Sequence, residues 1–167
     1  MKESLMTRKS LSLILIFLVN TFCYINSIHN ELTYDDLPAI KENKIVIGEK
    51  KWTEVWISDY WGNDLVKRVH TGYRPISLLS LKVNYLFGKL DPTSYHLLNI
   101  FFHILASFLL FYLSFLIVFK KNLMIALAIS LLFSVNAIHT ENVNSIVGRA
   151  DILGSLFFLI SFISYNN

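Results

Sequence analysis

The most constraining feature of this sequence is a run of 23 residues without a charged side chain, Leu97 to Phe119. The run contains one imidazole, His103, and two lysines follow it directly, Lys120 and Lys121. About 20 apolar residues in a helix cross the hydrocarbon core of a bilayer. A helix also satisfies its own backbone hydrogen bonds, which lipid cannot do. The run therefore predicts a membrane-spanning helix.

Three shorter apolar stretches accompany this run, at about 11–28, 123–138 and 152–165. Hydrophobic residues make up 54% of the 167 residues and charged residues only 16%, whereas about a quarter of the residues in soluble domains are charged. The first stretch follows a basic N-terminus, as in a signal peptide. No small-residue cleavage site ends it, so we interpret it as a retained helix. We expect an all-α membrane protein with about four transmembrane helices.

The positions of lysine and arginine predict which ends of the helices face the cytosol. The N-terminal tail carries Lys2, Arg8 and Lys9, and the turn after the second helix carries Lys120 and Lys121. With four spans, both basic clusters fall on one side, which is then the cytosolic side. The predicted order along the chain is a cytosolic tail at 1–10, a transmembrane helix at 11–29, a non-cytosolic loop at 30–95, a second helix at 96–119, a cytosolic turn at 120–122, a third helix at 123–138, a second non-cytosolic loop at 139–150 and the start of a fourth helix at 151–167.

The long loop at 30–95 is too rich in tryptophan and tyrosine to be a disordered linker. Apolar residues recur at helical spacing over 52–61 and over 76–87. Pro75 stands just before the second pattern, where a first helical turn tolerates it. We predict two short amphipathic helices. Their apolar faces either lie in the membrane interface, where aromatic residues concentrate, or pack on the helices of the same protein.

The net charge and the cysteine content argue against a nucleic-acid-binding protein and against an internal disulfide. The formal net charge is +3 and no basic stripe alternates with aromatic residues, so nothing predicts a nucleic-acid partner. Cys23 is the single cysteine of the chain, which rules out an internal disulfide.

An adjacent pair of carboxylates, Asp35 and Asp36, stands a few residues beyond the first apolar stretch. A carboxylate at the mouth of a membrane protein is costly to dehydrate and needs water, a cation or a function. Such a group can accept the proton of an incoming hydroxyl. In an extended segment the two side chains point to opposite sides, so one would be the base and the other would orient it or bind a cation. The alternative is a solvated and inert pair.

Other polar residues near the predicted helix ends have the chemistry of phosphate or proton-transfer sites. Arg74 precedes a predicted helix and is either a phosphate ligand or a surface side chain that extends back to water. His139 and Glu141 suit a cation or a proton relay, but they are too few for a closed metal site. Arg149 and Asp151 either belong to the same site or simply pair at the head of the fourth helix.

Three polar residues lie near the start of the longest apolar run: His96, Asn99 and His103. Polar groups on a membrane helix usually face other protein groups or a water-filled cavity. The pattern therefore leaves two roles open, helix packing and lining of a site.

Several short motifs follow one another along the chain: Tyr34-Asp35-Asp36, Ala39-Ile40 with Asn43, Tyr60-Trp61-Gly62, Tyr73-Arg74-Pro75, Tyr95-His96-Leu97-Leu98-Asn99, His139-Thr140-Glu141-Asn142-Val143 and Val147-Gly148-Arg149-Ala150-Asp151-Ile152-Leu153. In this order and setting they resemble the transmembrane and tetratricopeptide-repeat O-mannosyltransferases. The resemblance covers nearly the whole chain from about residue 10. No single motif is decisive, but the ordered set is specific.

The resemblance implies a partial C-type glycosyltransferase (GT-C) fold in the endoplasmic reticulum membrane, with a cytosolic N-terminus and the loop at 30–95 in the lumen. It implies dolichyl-phosphate mannose as the lipid-linked donor. It also implies Ser/Thr hydroxyls of secretory-pathway proteins, cadherin-like domains among them, as acceptors. Whether a metal takes part stays open.

The resemblance carries over to individual residues as well. Asp35 and Asp36 fall on the family's catalytic acidic pair, and the topology expected from the charges places both on the luminal side. The remaining candidates divide into a donor-phosphate group and a supporting group: Arg74, His139 and Arg149 in the first, and Glu141, Asp151 and His96 in the second.

The family pattern also includes further membrane helices and a C-terminal tetratricopeptide array, which this sequence does not contain. We therefore expect an N-terminal fragment that is inactive by itself. Two other classes fit the composition. One is a small non-catalytic four-helix membrane subunit that binds a partner through its long loop, and the other is a transporter with a path lined by Asn99 and His103. No inverted repeat is detectable, which argues against the transporter.

Overall fold

A computed structural model describes residues 2–65, 72–119 and 122–166, with side chains from residue 5 onward. The predicted cytosolic turn at 120–122, with Lys120 and Lys121, lies outside these residues apart from Asn122. Within the described ranges the chain is helical and forms no strand, and Ser58 and Asp64 make an isolated β-bridge.

The helices follow one another in a simple order. The described α-helices are α1 (Lys2–Tyr24), α2 (Pro75–Gly88), α3 (Pro92–Leu113), α4 (Leu123–Val135), α5 (His139–Asn144) and α6 (Arg149–Asn166). Shorter 3-10 turns occupy Ile25–His29 and Trp52–Trp56, and π-helical turns occupy Leu37–Lys41 and Ser114–Val118.

Among the residues that the structure describes, two helical segments are long and apolar enough to cross a membrane, Leu5–His29 and Pro92–Val118. The helix α4 is apolar but shorter. Large apolar side chains remain exposed along the first segment, and Phe22 is 84% exposed. Lipid accommodates such a surface, whereas water disfavours it. The all-helical membrane fold expected from the sequence is confirmed at this level, and the count of four spans stays a prediction.

The helix α3 lies at the centre of the bundle, because it packs against α1, α4 and α6. Asp91 caps its start by accepting a hydrogen bond from the Thr93 amide, 3.1 Å away, and Pro92 occupies the first turn. The helix therefore begins four residues before the predicted boundary at 96.

Other boundaries also differ from those that hydropathy predicts. The helix α1 begins within the polar tail, α4 ends at Val135 rather than 138, and α6 begins at Arg149 rather than 151. The short helix α5 lies inside the segment predicted as a loop at 139–150. Its six residues are mostly polar and show no apolar periodicity, so the sequence offers no helical signal there.

The long loop folds into a compact lobe over the end of the bundle. We define the loop lobe as residues 30–65 and 72–91. Its buried core includes Ile40, Val55, Leu78 and Leu81, and Ile146 joins this core from the segment after α5. The lobe is therefore packed on the membrane helices rather than tethered to them.

Of the two helices predicted in the loop, the structure contains the second as a full helix and the first only as a short turn. The helix α2 occupies the second predicted segment, with Pro75 in its first turn. The first is a single 3-10 turn at Trp52–Trp56 rather than a helix over 52–61. In α2 most of the predicted apolar face stays exposed, with Ile76 and Leu86 each about half exposed. Leu79, on the same face, packs against the core of the loop lobe.

A ladder of small polar side chains connects the membrane helices. Asn20 on α1 donates a hydrogen bond to Ser134 Oγ on α4 at 2.8 Å and accepts one from Ser107 on α3 at 3.3 Å. Ser130 donates to the Ser107 carbonyl at 2.7 Å. Small hydroxyl residues let helices approach closely, and hydrogen bonds between helices add to packing in lipid.

This ladder gives a direct stability prediction. Replacing Asn20 by Ala removes two of the hydrogen bonds that connect α1 to α3 and α4 and leaves the one from Tyr24 to the Ser134 carbonyl. We expect a loss of about 1 kcal/mol in the free energy of unfolding. Unfolding of the purified chain by SDS titration from mixed micelles measures it. The control N26A changes an exposed asparagine just after α1 and should leave the midpoint unchanged. Equal midpoints for N20A and the unmodified chain would contradict the role of the ladder.

Candidate active site

The acidic pair lies at a sharp turn near the start of the loop lobe, a few residues after the first membrane helix. Tyr34, just before the pair, has φ of +44°, and Asp36 begins the π-helical turn at Leu37–Lys41. A non-glycine residue in the left-handed region is uncommon and concentrates at functional sites. The turn sends the two carboxylates apart, since Asp35 is exposed and Asp36 is only 1% exposed.

The Asp36 carboxylate is fixed from two sides by backbone amides. The Thr33 amide donates to Oδ2 at 3.4 Å, and the Val147 amide donates to Oδ1 at 3.0 Å. Val147 is 111 residues away in the chain. Asp36 therefore joins the turn after α1 to the segment between α5 and α6.

Burial dominates the electrostatics of Asp36. It raises the pKa of this carboxyl above its ordinary value, and the neighbouring Asp35 adds to the rise. The amides of Val147 and Thr33 stabilise the charged form and offset part of the effect on the pKa.

Asp35 lines an open cavity of about 390 Å³ in the loop lobe. The other lining residues are Pro38, Glu42, Trp61 and Asn63. The cavity combines two carboxylates, an amide and an aromatic ring, which are groups that bind hydroxylated ligands. The structure therefore gives Asp35 access to a ligand that Asp36 lacks.

A buried carboxylate that sequence reasoning missed holds one wall of this cavity. Asp59 is 1% exposed, and its Oδ1 accepts hydrogen bonds from the amides of Trp61 at 2.9 Å and Asn63 at 2.8 Å. The motif Tyr60-Trp61-Gly62 marks this place in the sequence, but nothing in it indicates the role of the preceding aspartate.

Gly62 closes the same turn against the side chain of Asn43. Its φ is +81°, and an added Cβ would lie 2.4 Å from Asn43 Oδ1. Asn43 donates to the Tyr60 carbonyl at 3.1 Å and accepts from the Ile45 amide at 3.1 Å. Two of the motifs, Asn43 and Tyr60-Trp61-Gly62, are thus one structural unit.

Arg149 is completely buried, and its hydrogen bonds run to neutral oxygen atoms. It donates to Asn99 Oδ1 at 2.8 Å, to Asn84 Oδ1 at 2.9 Å and to the Tyr95 carbonyl at 3.0 Å. The adjacent Asp151 is exposed instead of paired with it. The guanidinium of Arg149 therefore faces the protein interior in this structure, and its assignment to the donor phosphate stays a prediction.

Asn99 extends this bonding to the segment that holds Asp36. Its Nδ2 donates to the Ser145 carbonyl at 3.0 Å and lies within 3.4 Å of the Val143 carbonyl. Gly148 completes the bend, because an added Cβ would lie 2.4 Å from the Asn142 carbonyl oxygen. The bend leaves the Val147 amide facing Asp36. We call Asn99, Arg149 and the segment 143–148 the clamp.

Arg74 remains at the surface of the loop lobe, at the start of α2. Its guanidinium carbon is 5.7 Å from the centre of the Tyr60 ring, within range of a cation–π contact. Burial raises the pKa of the Tyr60 hydroxyl, and Arg74 lowers it in part. Among the predicted phosphate ligands, Arg74 is thus exposed and belongs to the same lobe as Asp35.

His139 lines a separate, small cavity of about 60 Å³ between α3, α5 and α6. The ring of His103 is 5.0 Å from that of His139, and Asp151 lines the same cavity. Burial lowers the pKa of His139. Glu141 is exposed, and His96 is fully buried on α3. Across residues 2–65, 72–119 and 122–166, no group of three or more His, Cys, Asp or Glu side chains is arranged to hold a metal ion.

Comparison with curated proteins finds similar sequences among the protein O-mannosyl-transferases. The chain is 41% identical to protein O-mannosyl-transferase TMTC3 of Homo sapiens over 152 residues, 41% to tmtc2 of Xenopus laevis over 143 residues and 39% to TMTC1 of Homo sapiens over 147 residues. These alignments cover 90%, 85% and 86% of this chain but 16%, 17% and 16% of the relatives. The chain spans about a sixth of the length of these relatives. No family model and no solved structure matches it.

The buried Asp36 gives a prediction about pH. Because its pKa is raised in the folded chain, the folded chain binds this proton more readily than the unfolded chain does. The free energy of unfolding contributed by Asp36 should fall as the pH rises from its ordinary pKa of 3.8 through the raised value. The substitution D36N should remove this fall. Unfolding of the purified chain as a function of pH measures it.

D35N is the matched control, since it leaves the Asp36 carboxyl in place and should keep the fall. The account of Asp36 is contradicted if D36N retains the pH dependence of the unmodified chain.

Proposed function

Because this chain belongs to the TMTC family of protein O-mannosyl-transferases, we propose that it supplies the catalytic base of such an enzyme and that the base is Asp35. The whole enzyme would transfer mannose to Ser/Thr hydroxyls of secretory-pathway proteins. The proposed donor is dolichyl-phosphate mannose. The chain itself spans about a sixth of the relatives, so the complete activity is assigned to the full-length protein.

The observation that carries the proposal is the difference between two adjacent carboxylates. Asp35 is exposed and lines a cavity of about 390 Å³, whereas Asp36 is buried and bonded to backbone amides. A general base must reach the proton that it removes. Asp35 is exposed and meets this condition. Asp36 is buried and bonded to two amides, so we assign it the role of fixing the turn.

The proposed step is an inverting displacement. The Asp35 carboxylate takes the proton of the acceptor hydroxyl while that oxygen attacks the anomeric carbon of mannose. The bond from this carbon to the phosphate oxygen breaks, and its electron pair leaves with dolichyl phosphate on the opposite face. Attack and departure on opposite faces invert the configuration at the anomeric carbon.

The residues that share the cavity with Asp35 suit an acceptor that carries a hydroxyl. Glu42 and Asn63 can bind its polar groups, and Trp61 offers an apolar surface. Asp59 fixes the amides of Trp61 and Asn63. We propose this cavity as the acceptor side of the site, and cadherin-like domains are the proposed acceptors.

Developing charge on the donor phosphate needs positive groups. Arg74 is exposed at the start of α2, where its guanidinium can reach a phosphate outside the lobe. His139 is partly exposed and is the second candidate. Glu141 and Asp151 lie beside His139 and are proposed as supporting residues, and His96 supports the packing of α3. No requirement for a metal is proposed.

The proposed location is the endoplasmic reticulum membrane, with the N-terminus in the cytosol and the loop lobe in the lumen. Two helices able to span the membrane support a membrane location. The lysines and arginines near the helix ends support this orientation. A luminal loop lobe would face the secretory-pathway acceptors.

The base is tested by single substitutions in a full-length relative, at the positions aligned with Asp35 and Asp36. The Asp35 substitution to Asn should lower kcat for mannosyl transfer by roughly 100-fold or more, because a general base contributes on the order of 10²–10⁴. The Asp36 substitution keeps an oxygen acceptor for the Val147 amide and should lower kcat less. Transfer of mannose to an acceptor domain is the measurement.

The position aligned with Glu31, an exposed carboxylate before the turn, provides the control, and its change to Gln should leave kcat unchanged. Undiminished transfer by both aspartate variants would end the proposal. A larger loss at Asp36 than at Asp35 would reverse the assignment of the base.

A further inference from the structure

The loop lobe has a second large cavity, of about 490 Å³, which shares no lining residue with the one at Asp35. It lies between the segment 46–52 and the last two turns of α2. The charged residues that line it are four lysines and one glutamate, namely Lys50, Lys51, Lys82, Lys89 and Glu49. Lys50 pairs with Glu54 at 3.6 Å, so the other three lysines against Glu49 give the cavity its excess of positive charge.

One lysine forms the buried floor of this basic cavity. Lys82 is 2% exposed, and its ammonium donates to the carbonyls of Ile45 and Lys50. The ammonium also lies 4.9 Å from the centre of the Trp52 ring. A buried ammonium is costly to dehydrate, and its acceptors are neutral groups. Burial lowers the pKa of this ammonium, and the nearby Glu54 offsets part of that fall by favouring the charged form.

A second lysine is held at the rim in an unfavourable backbone conformation. Lys89 has φ of +51° and ψ of −123°, a region that favours glycine. Its amide donates to the Tyr85 carbonyl at 2.9 Å, and its carbonyl accepts from the Tyr95 hydroxyl at 2.7 Å. Its ammonium lies 5.1 Å from the centre of the Tyr85 ring. Lys89 therefore occupies a position at which glycine would relieve the backbone strain, and its ammonium group faces the cavity.

The rim of the basic cavity continues into an exposed apolar surface. Leu86 lines the cavity and is 51% exposed, and the neighbouring Phe87 is 86% exposed. Leu90, just before α3, and Leu97 and Phe101, on α3, are exposed as well, and α3 is long and apolar enough to cross a membrane. The positive charge of the cavity suits the headgroup of an anionic lipid, and the exposed apolar side chains suit its acyl chains.

We propose that this cavity binds the phosphate headgroup of an anionic lipid, with the acyl chains along the exposed face of α2. Lysine ammonium groups bind phosphate as point charges, and basic clusters next to membrane helices recognise anionic headgroups. The lysines at 51 and 89 are exposed and bind the headgroup, while Lys82 supplies charge from below. This site is separate from the proposed acceptor cavity and does not depend on its function.

Lipid binding to the purified 167-residue chain in detergent tests the site. Phosphatidic acid and phosphatidylcholine with the same acyl chains are titrated in turn, and native mass spectrometry gives the Kd of each. We expect tighter binding of phosphatidic acid. The double variant K51Q/K89Q should weaken it by roughly thirtyfold, from about fivefold for each lysine near an anionic lipid. Phosphatidylcholine binding should not change.

K41Q/K44Q is the matched control, because both of these lysines are exposed and neither lines the cavity. It should bind phosphatidic acid as the unmodified chain does. The variant K89G separates binding from folding, since glycine relieves the backbone strain. It should unfold at the same or a higher temperature and still bind phosphatidic acid about fivefold more weakly.

A titration with inorganic phosphate distinguishes a lipid from a free anion. Weak binding of inorganic phosphate supports the lipid, because the acyl contacts are then needed. Binding of inorganic phosphate as tight as that of phosphatidic acid would overturn the lipid assignment. Equal affinity of the chain for the two lipids, or unchanged binding by K51Q/K89Q, would overturn the site.

Discussion

The buried guanidinium of Arg149 is the interaction on which the rest of this structure depends. It lies at the first turn of α6 and bonds to Asn99 and to the Tyr95 carbonyl on α3, and to Asn84 on α2. A charge taken out of water is tolerated only when its donors are satisfied. These neutral acceptors satisfy it, so α2, α3 and α6 must meet at one point. The loop lobe is thereby fixed to the membrane helices.

The contact of Arg149 with Asn99 also determines the geometry of the acidic pair. Asn99 holds the segment 143–148, and that segment presents the Val147 amide to Asp36. With Asp36 held inside, the turn leaves Asp35 exposed at its cavity. The clamp thus connects a helix-packing interaction to the carboxylate that we propose as the base. Two adjacent aspartates acquire different roles because their environments differ.

Hydropathy and short motifs predict much of this molecule, and long-range packing accounts for the rest. The apolar run after Asn99 and the Pro75 start of α2 depend on local sequence, and the structure contains both helices. The divergence of Asp35 and Asp36 was expected from adjacency, although the segment is a turn rather than extended. The burial of Arg149 could not be foreseen, because its partners lie 50 and 65 residues away. The contribution of Asp59 was missed for a different reason: its partners are only two and four residues away, but they are backbone amides, which no pattern of side chains marks.

Hydrogen–deuterium exchange of the purified chain in detergent, with and without the substitution R149K, tests the clamp most directly. Lysine keeps the charge but loses the planar fork that bonds Asn99 and Asn84 together. The account predicts faster exchange in two segments at once, 143–148 and 33–37, while exchange in α4 stays slow. Faster exchange confined to the neighbourhood of residue 149, with the turn at Asp36 unchanged, would contradict it.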